Sequence, residues 1–303
     1  TSSPPGLGGE DFGGSLVQAA DGKVYVQAGK TAAWNCELTG LDTVKPLGSG
    51  QVALTDADVK AASALRDEAL QATVGSRKYR IPRATPTLTG NLSKDFGRDD
   101  VISFRKSDDA AVRCAAAWDD ANLYLAWEVT DNTPWVNGAR SPEEMYLCGD
   151  TVDFQLGSDP KADPKRAAAV LGDLRLSIGN FSGTATAVIY RLVAKDKHPK
   201  TFSSGVVPQY EMDSVLTLPE AQIKVTRTNR SYTVEATVPL GALDLRPSAG
   251  MKVRGDFGAT HGDPAGQRTR LRTYWSNQKT GIVDDAVFEL MMEPRNWGEL
   301  EFQ

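Results

Sequence analysis

The stretch 110–156 constrains the fold more than any other part of this chain. Val112, Cys114, Ala116 and Trp118 alternate with small or polar neighbours, and Leu123, Leu125, Trp127 and Val129 do the same. Val152, Phe154 and Leu156 alternate with Thr151, Asp153 and Gln155. Period-two alternation bounded by turn residues marks half-buried strands. The short polar turn 119–122 makes the first two strands a hairpin. Their shared parity predicts one core containing Trp118, Leu125, Trp127 and Phe154.

The rest of the chain supports the same class. "VISFR" precedes the hairpin, and "LRLSIGNF", "TATAVIYR", "AQIKVTRTN", "SYTVEATVPL", "MKVRGDFGAT" and "GELEFQ" follow it. Asn229–Arg230 marks a second hairpin, and "PLGALDL" reads as a helical turn. Many short strands with turns between them predict a mainly β, two-sheet antiparallel sandwich of jelly-roll type. The stretch 195–219 lacks a period and reads as a long insertion loop.

The N-terminal part is organised differently. Residues 1–20 are rich in Gly, Ser and Pro and read as a flexible lead-in. Residues 21–79 read as a hairpin plus a helix. "KVYVQ" and "TAAW" are its strands, and 55–74 is the helix, N-capped by Thr55 with an alanine-rich stripe. This segment is either the end of a preceding propeller-like domain or a hairpin packed on the sandwich. The sandwich itself is expected over 80–303.

The residues "AAAWDDANLYLAWEVTD", then "GDTVDFQLG", "YWSN" and the closing "WGELEF" resemble a family 9 carbohydrate-binding module. That family belongs to the wider DOMON-like group of β-sandwiches. The resemblance implies a non-catalytic module of a larger secreted or cell-surface protein, extracellular or periplasmic, bound to a glycan or cell-surface polysaccharide. In such modules an acid and an arginine on neighbouring strands bond sugar hydroxyls, and those positions fall on Asp153 and Arg175. Alternation independently places both on the polar faces of their strands. The same parity also fits an ion pair on an exposed sheet face. The family's two clamp tryptophans fall near Leu147 and Val283, so Tyr146, Trp135 and Trp275 are the candidate replacements, and Trp135 is expected in an exposed polar loop.

The resemblance also implies structural calcium held by loop oxygens, for which Asp131 and Asp150 are the candidate ligands. Asp and Asn are favoured in turns without any metal. Some DOMON relatives hold haem. Met145, Met212 and His261 are suitable residue types, but no ligand spacing supports them, and haem is not expected.

Several function classes find no support. A net charge of −5 argues against nucleic acid. No apolar run approaches the roughly 20 residues of a membrane span. Only His198 and His261 exist, and no nucleophile, zinc, P-loop or dinucleotide motif accompanies them. An enzyme is therefore not expected. The alternative to glycan binding is a structural or assembly module that uses its sandwich face to bind another protein. Cys114 and Cys148 are either two buried thiols or, in an oxidising compartment, a disulfide.

Overall fold

The computed structural model describes 75–133, 135–203, 209–277 and 292–303, together with four short strands nearer the N-terminus. The chain divides into two compact units, Thr1–Leu70 and Gln71–Gln303. In the first, β1 (Leu16–Gln18) pairs antiparallel with β2 (Val24–Val26), and β3 (Thr31–Trp34) pairs with β4 (Gly50–Ala53). The expected hairpin between 24–26 and 31–34 is thus replaced by two separate pairings. β1 also falls inside the expected lead-in. The helix expected at 55–74 lies outside the described residues.

The second unit is a two-sheet β-sandwich. Its strands are β5 (Lys78–Ile81), β6 (Ile102–Ser107), β7 (Ala110–Trp118), β8 (Asn122–Thr130), β9 (Thr151–Gly157), β10 (Asp173–Phe181) and β11 (Thr184–Arg191). They continue with β12 (Lys200–Phe202), β13 (Tyr210–Met212), β14 (Ser214–Thr217), β15 (Gln222–Arg227), β16 (Ser231–Pro239), β17 (Lys252–Gly262), β18 (Thr269–Tyr274) and β19 (Gly298–Phe302). Among the described residues one sheet runs β15-β16-β8-β7-β6. The other runs β14-β11-β10-β9-β17-β19-β5, with β18 also paired to β17. One ladder departs from the antiparallel expectation: β5 joins β19 in parallel.

The alternation read from the sequence builds the core. Trp118 pairs with Leu123 and Cys114 with Trp127 across the β7–β8 hairpin, so their side chains share one face. Val152, Phe154, Leu174, Leu176 and Phe257 face them from the larger sheet, and all are buried. Phe257 is the hub, with its ring centroid 4.9 Å from Phe154, 5.7 Å from Tyr79 and 6.3 Å from Trp127. Burying side chains of this size contributes roughly 1.5–3 kcal/mol each. The hairpin turn is fastened by Asp119, whose Oδ1 accepts the amides of Ala121 and Asn122.

Both outer faces are covered. On the five-stranded sheet, Leu92 and Phe96 pack on Ala115, Ala117, Ala126 and Tyr124. Small alanines at these outward positions leave room for the covering segment. On the larger sheet, the 3-10 turn Pro142–Leu147 brings Met145 and Tyr146 against Val188 and Tyr190, with Phe202 and Met212 joining them. The expected insertion loop is therefore partly regular. β12 and β13 pair with each other, and β14 forms the edge of the larger sheet. Cys114 and Cys148 are both free thiols, which removes the disulfide alternative. Cys148 is only half-buried, because it ends the 3-10 turn before the alternation of β9 begins. No helix among the described residues is long and apolar enough to cross a membrane.

Candidate functional site

Strands β9 and β10 run antiparallel with Ser177 opposite Asp153 and Gln155 opposite Arg175. Since Phe154 and Leu176 point into the core, Asp153, Arg175 and Ser177 share the outer face. Arg175 Nη2 donates to Asp153 Oδ2 at 2.7 Å, and Tyr274 Oη donates to the same oxygen at 2.8 Å. Gly258 lies between Asp153 and Tyr274 in the ladder. A Cβ there would come within 2.4 Å of the Tyr274 ring, so the missing side chain is what lets that ring cross the sheet.

Tyr146 closes the group from above. Its ring centroid lies 5.9 Å from the Arg175 guanidinium carbon, a cation–π distance. Tyr190 and Phe202 meet the Tyr146 ring edge-on at 5.7 and 5.4 Å. Arg272 Nη2 donates to the Tyr146 carbonyl at 3.0 Å. Burial works against the charged Arg175, but Asp153 outweighs it and raises the guanidinium above its usual range. Burial pushes the Tyr146 phenol up, so it stays a neutral hydroxyl. Tyr146 Oη and Ser177 Oγ are buried, and among the described residues neither has a hydrogen-bond partner.

The structure thus brings together Asp153, Arg175 and Tyr146, but not on an open face. Arg175 is 1% exposed and Asp153 is fully buried. The expected exposed ion pair is a buried one, because the non-periodic segments after β8 and β11 fold back over this sheet. Trp135 and Trp275 do not join the group. Trp135 takes a left-handed backbone at φ 60 and packs its ring 5.1 Å from Tyr232 in the core. Asp150 Oδ2 accepts the amide of Val136 at 2.7 Å and turns this loop inward. Trp275 lies over Gly298, 6.4 Å from both Tyr79 and Phe257, also in the core. Tyr274, its neighbour in sequence, is the residue that reaches Asp153. Sequence reasoning missed Tyr274 and Tyr190, although strand parity marks Tyr190 as outward-facing opposite Arg175.

The two candidate metal ligands each tie loops together. Asp150 Oδ1 accepts the Gly262 amide at 2.7 Å while its other oxygen holds Val136. Asp131 Oδ1 accepts the Thr133 amide, and its Oδ2 lies 3.0 Å from His261 Nδ1. Burial, with Asp131 nearby, pushes Asp150 up to about 7. Calcium takes about six to eight oxygens, and no group of three or more acidic, His or Cys side chains able to hold a metal exists among the described residues. Asp131 and Asp150 thus spend their oxygens on loop amides and on His261. The haem candidates do not fit iron. His261 has both ring nitrogens engaged, the second at 3.2 Å from Thr273 Oγ1, and Met145 and Met212 are buried in the apolar cover.

The line Asp131–His261–Thr273 has the order of a nucleophilic relay. All three residues are buried, and Thr273 is 1% exposed. The line therefore acts as a strut from the end of β8 to β17 and β18. His198 is the second histidine and lies on the surface, its backbone amide bonded to the Asp213 carbonyl.

No protein-family model matches the chain, and no curated protein does. Among solved structures it is similar to a family 9 carbohydrate-binding module from Caldicellulosiruptor kristjanssonii, solved in complex with cellotriose and with glucose. The identity is 16% in both comparisons. With the cellotriose complex the TM-score is 0.47, covering 75% of this chain and 94% of that one. With the glucose complex the TM-score is 0.46, covering 75% and 96%.

Proposed function

We propose that the sandwich is a non-catalytic carbohydrate-binding module of a secreted or cell-surface protein, and that it holds a sugar on the outer face of the larger sheet. The observation that carries this reading is the pair of buried, unpartnered hydroxyls, Tyr146 Oη and Ser177 Oγ, beside the Asp153–Arg175 pair. A buried polar group without a partner costs about 1–3 kcal/mol. Two of them beside the ion pair suit a site where another molecule supplies the bonds. Sugar hydroxyls both donate and accept, and the Tyr146 ring offers an apolar surface beside them. A carboxylate accepts from such hydroxyls and a guanidinium donates to them. The 3-10 turn Pro142–Leu147 carries Tyr146, so entry of a ligand requires this turn to move. In this proposal the polysaccharide is an extracellular one, and the protein works outside the cytoplasm.

The test is calorimetric titration with glucose, cello-oligosaccharides and a wider glycan panel, on the wild type and on Tyr146→Phe. Removing an unpartnered hydroxyl should leave the melting temperature unchanged or slightly raised while weakening sugar binding about tenfold, the loss of one such bond. Absence of binding across the panel rejects the reading.

A second reading has its own observation. The Asp153–Arg175 pair is buried and both candidate tryptophans lie in the core. Such a face suits a module whose role is assembly with another protein. If no glycan binds, this is the reading to pursue, by crosslinking of the protein in its native extract.

A further inference from the structure

On the opposite side of the sandwich, a strap formed by 88–101 crosses the outer face of the five-stranded sheet. Beneath it Glu235, in the middle of β16, is 1% exposed; the Gly90 amide of the strap approaches its carboxyl, but among the described residues neither oxygen has a well-formed hydrogen bond to a donor. The carboxyl of Asp95, on the strap, is within hydrogen-bonding reach. Asp95 anchors the strap itself. Its oxygens accept the Thr89 amide at 2.8 Å, the Thr89 hydroxyl at 2.7 Å and the Asn91 amide at 3.2 Å.

We propose that this strap is a pH-sensitive latch, closed by one proton shared between the carboxyls of Asp95 and Glu235. Two ionised carboxylates in contact repel, and the more buried one takes up a proton. Asp95 is the ionised partner. Slight burial pushes it up, but the bonds from Thr89 and Asn91 outweigh that and hold it below the usual range. Glu235 is the protonated partner, since burial, joined by Asp95, pushes it up to about 7 against the Gly90 amide and Lys224, which favour its charged form. Its O–H then donates to Asp95 and closes the strap.

The charges around the pair fit this assignment. Lys224, opposite Glu235 on β15, donates from Nζ to the Leu88 carbonyl at 3.1 Å and pins the strap; its charge draws Glu235 down, but less than Asp95 pushes it up. On β8 the residue opposite Glu235 is Ala126, and the charged Glu128 is already paired with Arg113 of β7 at 2.8 Å. Arg113 also donates to Ser93 Oγ on the strap. Tyr124 gives its hydroxyl to Asp119. None of these supplies Glu235 with a counter-charge in contact.

A carboxyl raised in the folded state stabilises it fully below the unfolded value, here 4.5, and loses that contribution as pH rises through about 7. The strap should therefore loosen above neutrality and uncover the alanine floor of Ala115, Ala117 and Ala126. This proposal is independent of the sugar site, which lies on the other sheet.

Hydrogen exchange at pH 6 and pH 8.5, corrected for intrinsic rates, tests it on the whole chain. Protection of the Thr89, Asn91, Asp95 and Phe96 amides should fall about tenfold or more between the two pH values, the change expected for one pKa unit of differential interaction. In Glu235→Gln, which stays neutral and keeps a donor, protection should be the same at both. Equal pH dependence in wild type and variant overturns the latch. Restoration of protection at pH 8.5 by calcium chloride also overturns it, because a cation and not a proton would then join the carboxyls. Should the variant not fold, carbon-13 titration of Glu235 in the wild type decides. A midpoint near 7 supports the latch, and one in the ordinary carboxylate range sinks it.

Discussion

Asp131 Oδ2 lies 3.0 Å from His261 Nδ1, and this contact joins the end of one sheet to the facing strand of the other. Burial pushes the Asp131 carboxyl up, but the bonds from His261 and Thr133 outweigh it and hold it below the usual range. His261→Ala leaves that carboxylate buried beside a cavity. The expected loss is about 2–3 kcal/mol, the cost of a bond to a charged group left unmade. Urea unfolding measures it. A variant within about 0.5 kcal/mol of wild type would show that the strut carries no load.

Stability should peak in mildly acidic solution. Asp256 is fully buried, and burial raises its carboxyl to about 7 despite bonds from the amides of Phe257, Ser276 and Asn277. A raised carboxyl stabilises the fold fully below its unfolded value of 3.8, and that contribution is lost as pH climbs through about 7. Asp119 acts in the opposite sense. Burial raises it, but the bonds from Tyr124, Ala121, Asn122 and Thr85 outweigh that and bring it to about 2. Its contribution is present above 3.8 and disappears as pH falls through about 2. Urea midpoints measured from pH 2 to 9 should be highest near pH 4 and fall between about 4 and 7. A midpoint that rises steadily from pH 5 to 8 contradicts this.

How legible the molecule is depends on range along the chain. The side of the sheet shared by Asp153 and Arg175 follows from period two alone, and so does the burial of Trp118, Trp127 and Phe154. The cover over Asp153 and Arg175 does not follow from period two. It comes from the 3-10 turn holding Tyr146 and the short β12–β13 pair, neither of which carries a period long enough to read. Trp135 looked exposed because its neighbours are polar. Its fate is decided by Asp150, which binds Val136 from 14 residues away. The parallel pairing of β5 with β19 joins the two ends of the sandwich and has no local signal at all.

The position of Tyr274 rests on Gly258. A methyl group there meets the Tyr274 ring at 2.4 Å. Gly258→Ala should displace the phenol from Asp153 and cost about 1–3 kcal/mol, the usual penalty for overpacking. Gly258→Ala/Tyr274→Ala should recover part of that loss, since it removes the clash. Near-ultraviolet circular dichroism reports the ring, and thermal unfolding reports the cost. An unchanged spectrum together with an unchanged melting temperature would mean the ring does not lie across Gly258.

The buried pair itself makes the sharpest prediction. Arg175 and Asp153 gave up water for one another, and desolvating each ion costs several kcal/mol before their attraction returns it. Arg175→Ala leaves the Asp153 carboxyl buried without its cation and, among the described residues, held by the Tyr274 hydroxyl and a long contact to Thr151. The expected loss is about 3–5 kcal/mol, enough to lower the melting temperature markedly. An exposed pair would instead lose about 1 kcal/mol or less. Replacing both partners at once, as Asp153→Asn with Arg175→Met, removes both charges and should be much milder than Arg175→Ala alone. A double-mutant cycle by urea unfolding separates these cases. Strong coupling between the two positions, with the double variant close to wild type in stability but unable to bind sugar, would assign the pair to recognition. A double variant as unstable as the single one would mean that packing of the Arg175 stem, and not its charge, holds this face together.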